Sequence, residues 1–247
     1  MNDQLCVHNC STLRVGEESL SSFQTMINHE LEQDGFAIVP GVLGTIEREK
    51  LLSSLGAVSG AGRRGLLALP IVAELARSPR FLDLVGPLLA SEPIPVRSIY
   101  LDKSAERNWL VPWHQDLTLA LRTRAEVPGF GPWSLKEGVP HVQPPVELLE
   151  QMLTLRLHLD DADGSSGALR VLPGSHRLGR VSSERMQQLR NQQAEFLCAV
   201  SAGDVLLMRP LLLHASGRSR SAGHRRVLHI EYAGFTLPEG LNWSEAA

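Results

Sequence analysis

Met152-Leu-Thr-Leu-Arg-Leu-His-Leu-Asp160 is an apolar run of strand length; Asp161-Ala-Asp-Gly-Ser-Ser-Gly167 then makes a turn, and Ala168-Leu-Arg-Val-Leu172 is a second short run. Short apolar stretches punctuated by Gly and Asp clusters read as β-strands joined by turns. The same texture begins after Pro95, with further strands expected at Val96–Leu101, Trp109–Asp116, Val205–His214 and Val227–Tyr232. Strands of this kind with long connections predict a jelly roll or sandwich, not a parallel α/β sheet.

Ahead of Pro95 the pattern is helical. Leu20, Phe23, Met26, Ile27 and Leu31 recur at helical spacing between Ser19 and Gln33, and Phe36–Val39 is a short strand ended by Pro40-Gly41. Ile71–Ala90 reads as helix interrupted at Ser78-Pro79 and Gly86-Pro87. The fold class expected is therefore mainly β with flanking helices: one domain over 1–247, with 1–18 flexible, 19–95 mainly helical and 96–236 the β core. The Pro- and Gly-rich stretch Ala125–Pro145 is too long for an ordinary hairpin loop and is expected to be a lid.

Composition narrows the function classes. The 247 residues carry 24 Lys and Arg against 27 Asp and Glu, a net charge of −3, which disfavours nucleic acid as the main partner. No apolar run is long enough to cross a membrane, and the first residues show no basic-then-apolar secretory pattern. Three cysteines, Cys6, Cys10 and Cys198, cannot build a disulfide framework, so a cytoplasmic protein acting on a small molecule is expected.

The chemistry-bearing residues are histidines and one class of carboxylate. Trp113-His114-Gln115-Asp116 follows an apolar run; on a strand, positions i and i+2 share a face, so His114 and Asp116 can reach one cation. One more ligand would complete the facial triad of a non-haem Fe(II) oxygenase. His-x-Asp occurs a second time, at His158-Leu-Asp160, and spacing alone leaves the choice open. His176, His214, His224 and His229 are candidates for the third ligand. His214 stands where an apolar strand meets a polar loop, and Arg225-Arg226 open the next strand, which is expected to return beside it. An arginine fork suits a buried dicarboxylate.

Taken together, these segments resemble the phytanoyl-CoA dioxygenase family of Fe(II)/2-oxoglutarate-dependent oxygenases. The matching stretches are Trp113-His-Gln-Asp116, Leu159-Asp-Asp161, Gly167-Ala-Leu-Arg-Val-Leu-Pro-Gly-Ser-His176, Gly203-Asp-Val-Leu-Leu207 and His214-Ala-Ser-Gly217, then Arg225 eleven residues past His214. The resemblance covers roughly Gly35 to Tyr232. It implies a double-stranded β-helix, a jelly-roll core of cupin type. It also implies His114, Asp116 and His214 as ligands of Fe(II), with Arg225 holding the distal carboxylate of 2-oxoglutarate. A one-residue slip of that strand would exchange Arg225 with Arg226. By the same resemblance His158-Leu-Asp160 falls on a later strand and is not the metal pair.

The activity so implied is hydroxylation of an unactivated C–H bond with O2 as cosubstrate, releasing succinate and CO2. Halogenation would require the Asp116 position to be vacated for chloride. Lys103 and Gln115 are expected to face the substrate, while Arg63-Arg64, Arg122, Arg124, Arg218 and Arg220 could serve an acyl-CoA or be ordinary surface arginines. Two other readings compete: a non-catalytic metal- or ligand-binding jelly roll, and an iron enzyme of cupin type that does not use 2-oxoglutarate.

Overall fold

The structure, a computed structural model, describes residues 17–245 apart from 59 and 61, with side chains from Ser22 onward. Cys6 and Cys10 lie outside the described residues. The first part of the chain carries helices α1 (Glu17–Gln33), α2 (Thr45–Leu55), α3 (Pro70–Ala76) and α4 (Pro79–Val85), with strands β1 (Phe36–Val39) and β2 (Gly62–Arg64) among them. The break between α3 and α4 falls at Ser78-Pro79. Pro79 occupies the first helical position, where a missing N–H is harmless, and the Ser78 hydroxyl accepts from the Phe81 N–H.

The β part follows as β3 (Ile94–Lys103), β4 (Val111–His114), β5 (Leu119–Ala120), β6 (Trp133–Lys136), β7 (Val139–Val142), the short helix α5 (Val146–Glu150), β8 (Met152–His158) and β9 (Leu169–Val171). Helix α6 (Ser183–Gln192) and strands β10 (Phe196–Cys198), β11 (Val205–Met208), β12 (His214–Ser216) and β13 (Arg225–Ala233) complete it. The strands form an antiparallel six-stranded sheet, β1-β11-β8-β13-β3-β2, a four-stranded sheet, β10-β9-β12-β4, and a small sheet, β5-β7-β6. Phe36, Leu206 and Met208 of the larger sheet pack directly on Leu169, Val171 and Cys198 of the second, so the two face one another as a jelly roll.

Alternation along the central strands decides what each face does. Leu153, Leu155 and Leu157 of β8 and Leu228, Ile230 and Tyr232 of β13 point outward and pack on Ile27, Leu31, Leu51, Leu55, Val72 and Phe81 from α1 to α4. Each buried aliphatic side chain contributes about 1.5–3 kcal/mol. The intervening Thr154, Arg156 and His158, with Arg225, His229 and Glu231, are also buried, on the inner face. The helices thus seal the apolar side of the sheet and leave its polar side as the lining of the jelly roll.

Three expectations change. The single strand foreseen at Val205–His214 is two: the Arg209 N–H extends the β1–β11 pairing by one bond to the Gly35 carbonyl at 2.8 Å, and Pro210, with no N–H for a ladder, ends it. His214 therefore opens β12, in the other sheet. β13 does not return beside β12; it crosses to the larger sheet and pairs with β3 and β8. The stretch 125–145 is not an open loop but carries the β6–β7 hairpin, whose Glu137-Gly138 turn has φ of 51° and 81°, as a two-residue hairpin turn of the favoured hand requires.

Gly203, in the turn before β11, has φ 96°, and a Cβ there would lie 2.3 Å from the Leu43 carbonyl oxygen. Gly203→Ala is expected to lose about 2 kcal/mol or more, lowering the midpoint of thermal unfolding by about 4–8 °C, read by calorimetry.

Candidate metal and cosubstrate site

β4 and β12 are neighbours in the second sheet, and their register sets His114 directly opposite His214. Their rings lie 4.1 Å apart between centroids. Asp116 follows two residues after His114, its backbone N–H anchored on the Pro210 carbonyl at 2.9 Å. Its two carboxylate oxygens stand 3.7 Å from His114 Nε2 and 3.7 Å from His214 Nε2. One ligand atom from each of the three lies within 4.8 Å of the others, a spacing that a single cation can bridge.

Each imidazole is held in the tautomer that a metal needs. His114 Nδ1 lies 2.9 Å from the Pro112 carbonyl and His214 Nδ1 lies 2.8 Å from that of Leu212. A carbonyl only accepts, so both Nδ1 atoms carry the proton and both Nε2 lone pairs are free. Burial, outweighing the attraction of Asp116, lowers His214 to about 4. Asp116 is driven the other way: against its burial, His214, His229 and His114 with the Arg97 guanidinium hold the carboxyl well below the usual range.

A second feature lies on the larger sheet. Register places Arg225, the first residue of β13, opposite Lys103, the last of β3. Arg225 is 2% exposed, Lys103 is fully buried, and the Arg225 Nε and Nη1 groups donate to nothing. Lys103 Nζ donates to Ser216 Oγ at 3.0 Å and to the Gly217 carbonyl at 2.6 Å, above the Trp109 ring. Burial, reinforced by the nearby Arg156, pulls Arg225 down to about 9. Burial and the charges of Arg225 and Arg156 pull Lys103 down to about 7. Two buried cations with no carboxylate between them are an incomplete arrangement, which an anionic ligand completes.

The neighbouring Arg226 is not available for that role. It makes a two-point ion pair with Asp160, Nε–Oδ2 at 2.7 Å and Nη2–Oδ1 at 2.6 Å. The same pair withdraws Asp160 from any metal, so His158 stands without its carboxylate; its ring is buried and both nitrogens are unpartnered. Among the other histidines, His224 Nδ1 contacts Asp102 at 2.7 Å and His176 packs over Gly35. Gln115 does not present a free amide. Its Nε2 donates to the Gly179 and Leu211 carbonyls at 2.8 and 2.7 Å, and its Oε1 accepts from the Val181 N–H at 3.0 Å. That amide braces the segment carrying the triad.

Sequence reasoning missed an inner-face chain on β13 and its neighbours. Arg156 Nη1 donates to His229 Nδ1 at 2.9 Å, His229 Nε2 lies 3.3 Å from Glu231 Oε1, and Arg97 Nη1 donates to the same carboxylate at 2.8 Å. The period-two row Arg225, His229, Glu231 was the available signal. Ser216, two residues past His214 on the same strand face, was another.

The sequence profile of the Phytanoyl-CoA dioxygenase (PhyH) family matches residues 31–227. A protein of Stutzerimonas stutzeri named probable alpha-ketoglutarate-dependent hypophosphite dioxygenase is 27% identical over 179 residues, 65% of this chain and 52% of that protein. The chain thus spans about half the length of the curated relative it matches. Among solved structures, AviO1 from Streptomyces viridochromogenes Tue57 is aligned over 87% of this chain and 96% of its own, with a TM-score of 0.62 and 23% identity. The epimerase SnoN, solved with Fe3+, alpha ketoglutarate and nogalamycin RO, is aligned over 86% of this chain and 84% of its own, with a TM-score of 0.66 and 17% identity. These two structures share the fold. Because the profile match runs from the end of α1 into β13, well over half of the sequence, this chain belongs to the phytanoyl-CoA dioxygenase family.

Proposed function

We propose that this chain is a non-haem Fe(II)/2-oxoglutarate-dependent dioxygenase in which His114, Asp116 and His214 hold the iron and Arg225 the distal carboxylate of 2-oxoglutarate. It hydroxylates a C–H bond of a small or medium organic substrate, with release of succinate and CO2. One observation carries the reading: a metal-spaced triad and a buried arginine with no counter-ion among the described residues share one jelly-roll interior. The names of the relatives, an alpha-ketoglutarate-dependent dioxygenase among them, support it.

When bound, iron, 2-oxoglutarate and O2 supply the oxidation. The protein supplies position. His114, Asp116 and His214 would hold the iron through two imidazoles and one carboxylate. Arg225 and Lys103 neutralise the distal carboxylate in a site where a charge-assisted pair is strong. Lys103 can only donate, so Ser216 Oγ accepts from it and keeps its own hydroxyl proton for the same carboxylate. The presence of Asp116 supports oxygenation or desaturation over halogenation, which would need the carboxylate position vacated for halide.

The test is an anaerobic titration of the iron-loaded protein with 2-oxoglutarate, followed by the visible metal-to-ligand charge-transfer band. A band, and succinate formation once O2 is admitted, is the expected result. No band in folded, iron-loaded protein favours the non-catalytic metal-binding reading. The same titration reads Lys103. Its ammonium is held near 7 only while the dianion is absent, so binding above that pH takes up a proton. The dissociation constant of 2-oxoglutarate is therefore expected to rise with pH between about 7 and 9, approaching tenfold per unit, and to be flat below. Lys103→Met removes the slope; an unchanged slope in that variant assigns it to another group.

A further inference from the structure

A cavity of about 570 Å³ is walled by Arg63 and Arg64 of β2, Arg97 of β3, Glu137 and His141 of the hairpin, Glu245, and Ala120 of β5, four residues along the chain from Asp116. Arg97 ties it to the inner face of the larger sheet: its Nη1 donates to Glu231 at 2.8 Å, and Glu231 in turn lies 3.3 Å from His229. The carboxylates on the wall are already engaged. Glu137 pairs with Arg64, joining the hairpin turn to β2. Glu245 accepts from the Ser98 N–H at 3.1 Å and from the Ser98 hydroxyl.

The guanidinium donors are not all engaged. Arg63, on the wall of the cavity, has no hydrogen bond or ion pair among the described residues. Arg97 gives Nη1 to Glu231 at 2.8 Å, but its Nε donates to nothing, and neither does Arg64 Nε. His141 Nδ1 lies 2.9 Å from the Val139 carbonyl, so it carries the proton and the Nε2 lone pair, also unpartnered, is an acceptor. Guanidinium groups on a pocket wall that lack acceptors are open to an anionic ligand, and a planar fork is matched by the paired oxygens of an oxyanion.

We infer that this cavity is the substrate pocket and that the substrate is a small organic acid, its carboxylate or phosphonate head gripped by Arg63 and Arg97, with His141 Nε2 taking a hydroxyl or amide proton of the same molecule. The inference rests on the oxygenase reading of the triad, since that reading makes the neighbouring cavity a substrate site.

The test uses protein loaded with Fe(II) and 2-oxoglutarate under anaerobic conditions, so that the Arg225 slot is already filled. Propanoate, methylphosphonate and the neutral propanamide are titrated in turn, read by calorimetry and by perturbation of the charge-transfer band. One or both anions are expected to bind and perturb the band, with propanamide at least about tenfold weaker. Arg63→Gln, which breaks no existing contact, is expected to weaken the anion about tenfold or more while the band formed with 2-oxoglutarate is unchanged. Tighter propanoate than methylphosphonate assigns a carboxylate head, the reverse a phosphonate. Neither anion binding, propanamide binding equally, or anion affinity indifferent to Arg63→Gln overturns the inference. If wild type forms no band with 2-oxoglutarate yet loses anion heat in Arg63→Gln, the oxygenase reading fails and the oxyanion site stands.

Discussion

Asp116→Ala is expected to abolish stoichiometric iron uptake and to lower 2-oxoglutarate turnover by at least about a thousandfold. The argument is one of coordination. Even partners that merely orient a ligand are worth 10–100-fold in metal affinity, and Asp116 supplies the one anionic donor, its oxygens 3.7 Å from both Nε2 atoms. The variant should fold, because the anchoring contact of this residue to Pro210 is made by its backbone N–H, which alanine retains. Iron content by mass spectrometry and the visible titration give the readout, with His158→Ala beside it. His158 lies on the inner face with neither nitrogen bonded, so its removal is expected to leave iron binding intact. Full iron and turnover in Asp116→Ala, or their loss in His158→Ala alone, would show that the metal sits elsewhere.

Arg225→Met is expected to weaken 2-oxoglutarate by about a hundredfold or more and, in the same protein without ligand, to raise stability by about 1–3 kcal/mol. The two signs together are diagnostic. A buried guanidinium without a carboxylate is held in place at the expense of stability, as its fall to about 9 reports, and an apolar side chain of similar length relieves that penalty. Once the dianion is present the balance reverses, since truncating one member of a buried charge pair costs about 2–5 kcal/mol. Arg226→Met should behave oppositely, losing about 1–3 kcal/mol with the Asp160 pair and leaving 2-oxoglutarate affinity unchanged. Thermal unfolding with and without 2-oxoglutarate separates the cases. A destabilised Arg225→Met with unaltered 2-oxoglutarate affinity would make Arg225 structural.

Much of this site was legible before folding. His114 and Asp116 announce themselves because a strand puts i and i+2 on one face, and the resemblance of the surrounding segments supplied His214 and Arg225. Arg225 against Arg226 was not legible from alternation alone. Alternation has two phases, and only pairing of β13 with β3 and β8 says which phase faces the interior. Gln115 illustrates the same limit: its neighbours in sequence mark it as a site residue, yet its three partners come from chain 64–96 residues away.

By itself, then, the sequence determined the main strands and helices, the division into a helical first part and a β core, the break at Ser78-Pro79, and the family to which the chain belongs. These are properties of local spacing and of short motifs. Only the tertiary structure decided that the strand foreseen at Val205–His214 divides between two sheets at Pro210, that 125–145 is a hairpin, and that Arg63 shares a cavity with Arg97. It also decided that His229 and Glu231 join Arg156 to Arg97. Those outcomes depend on which strands meet across the jelly roll. That is set by burial of the apolar faces of β8 and β13 under the helices, a long-range condition that no local period encodes.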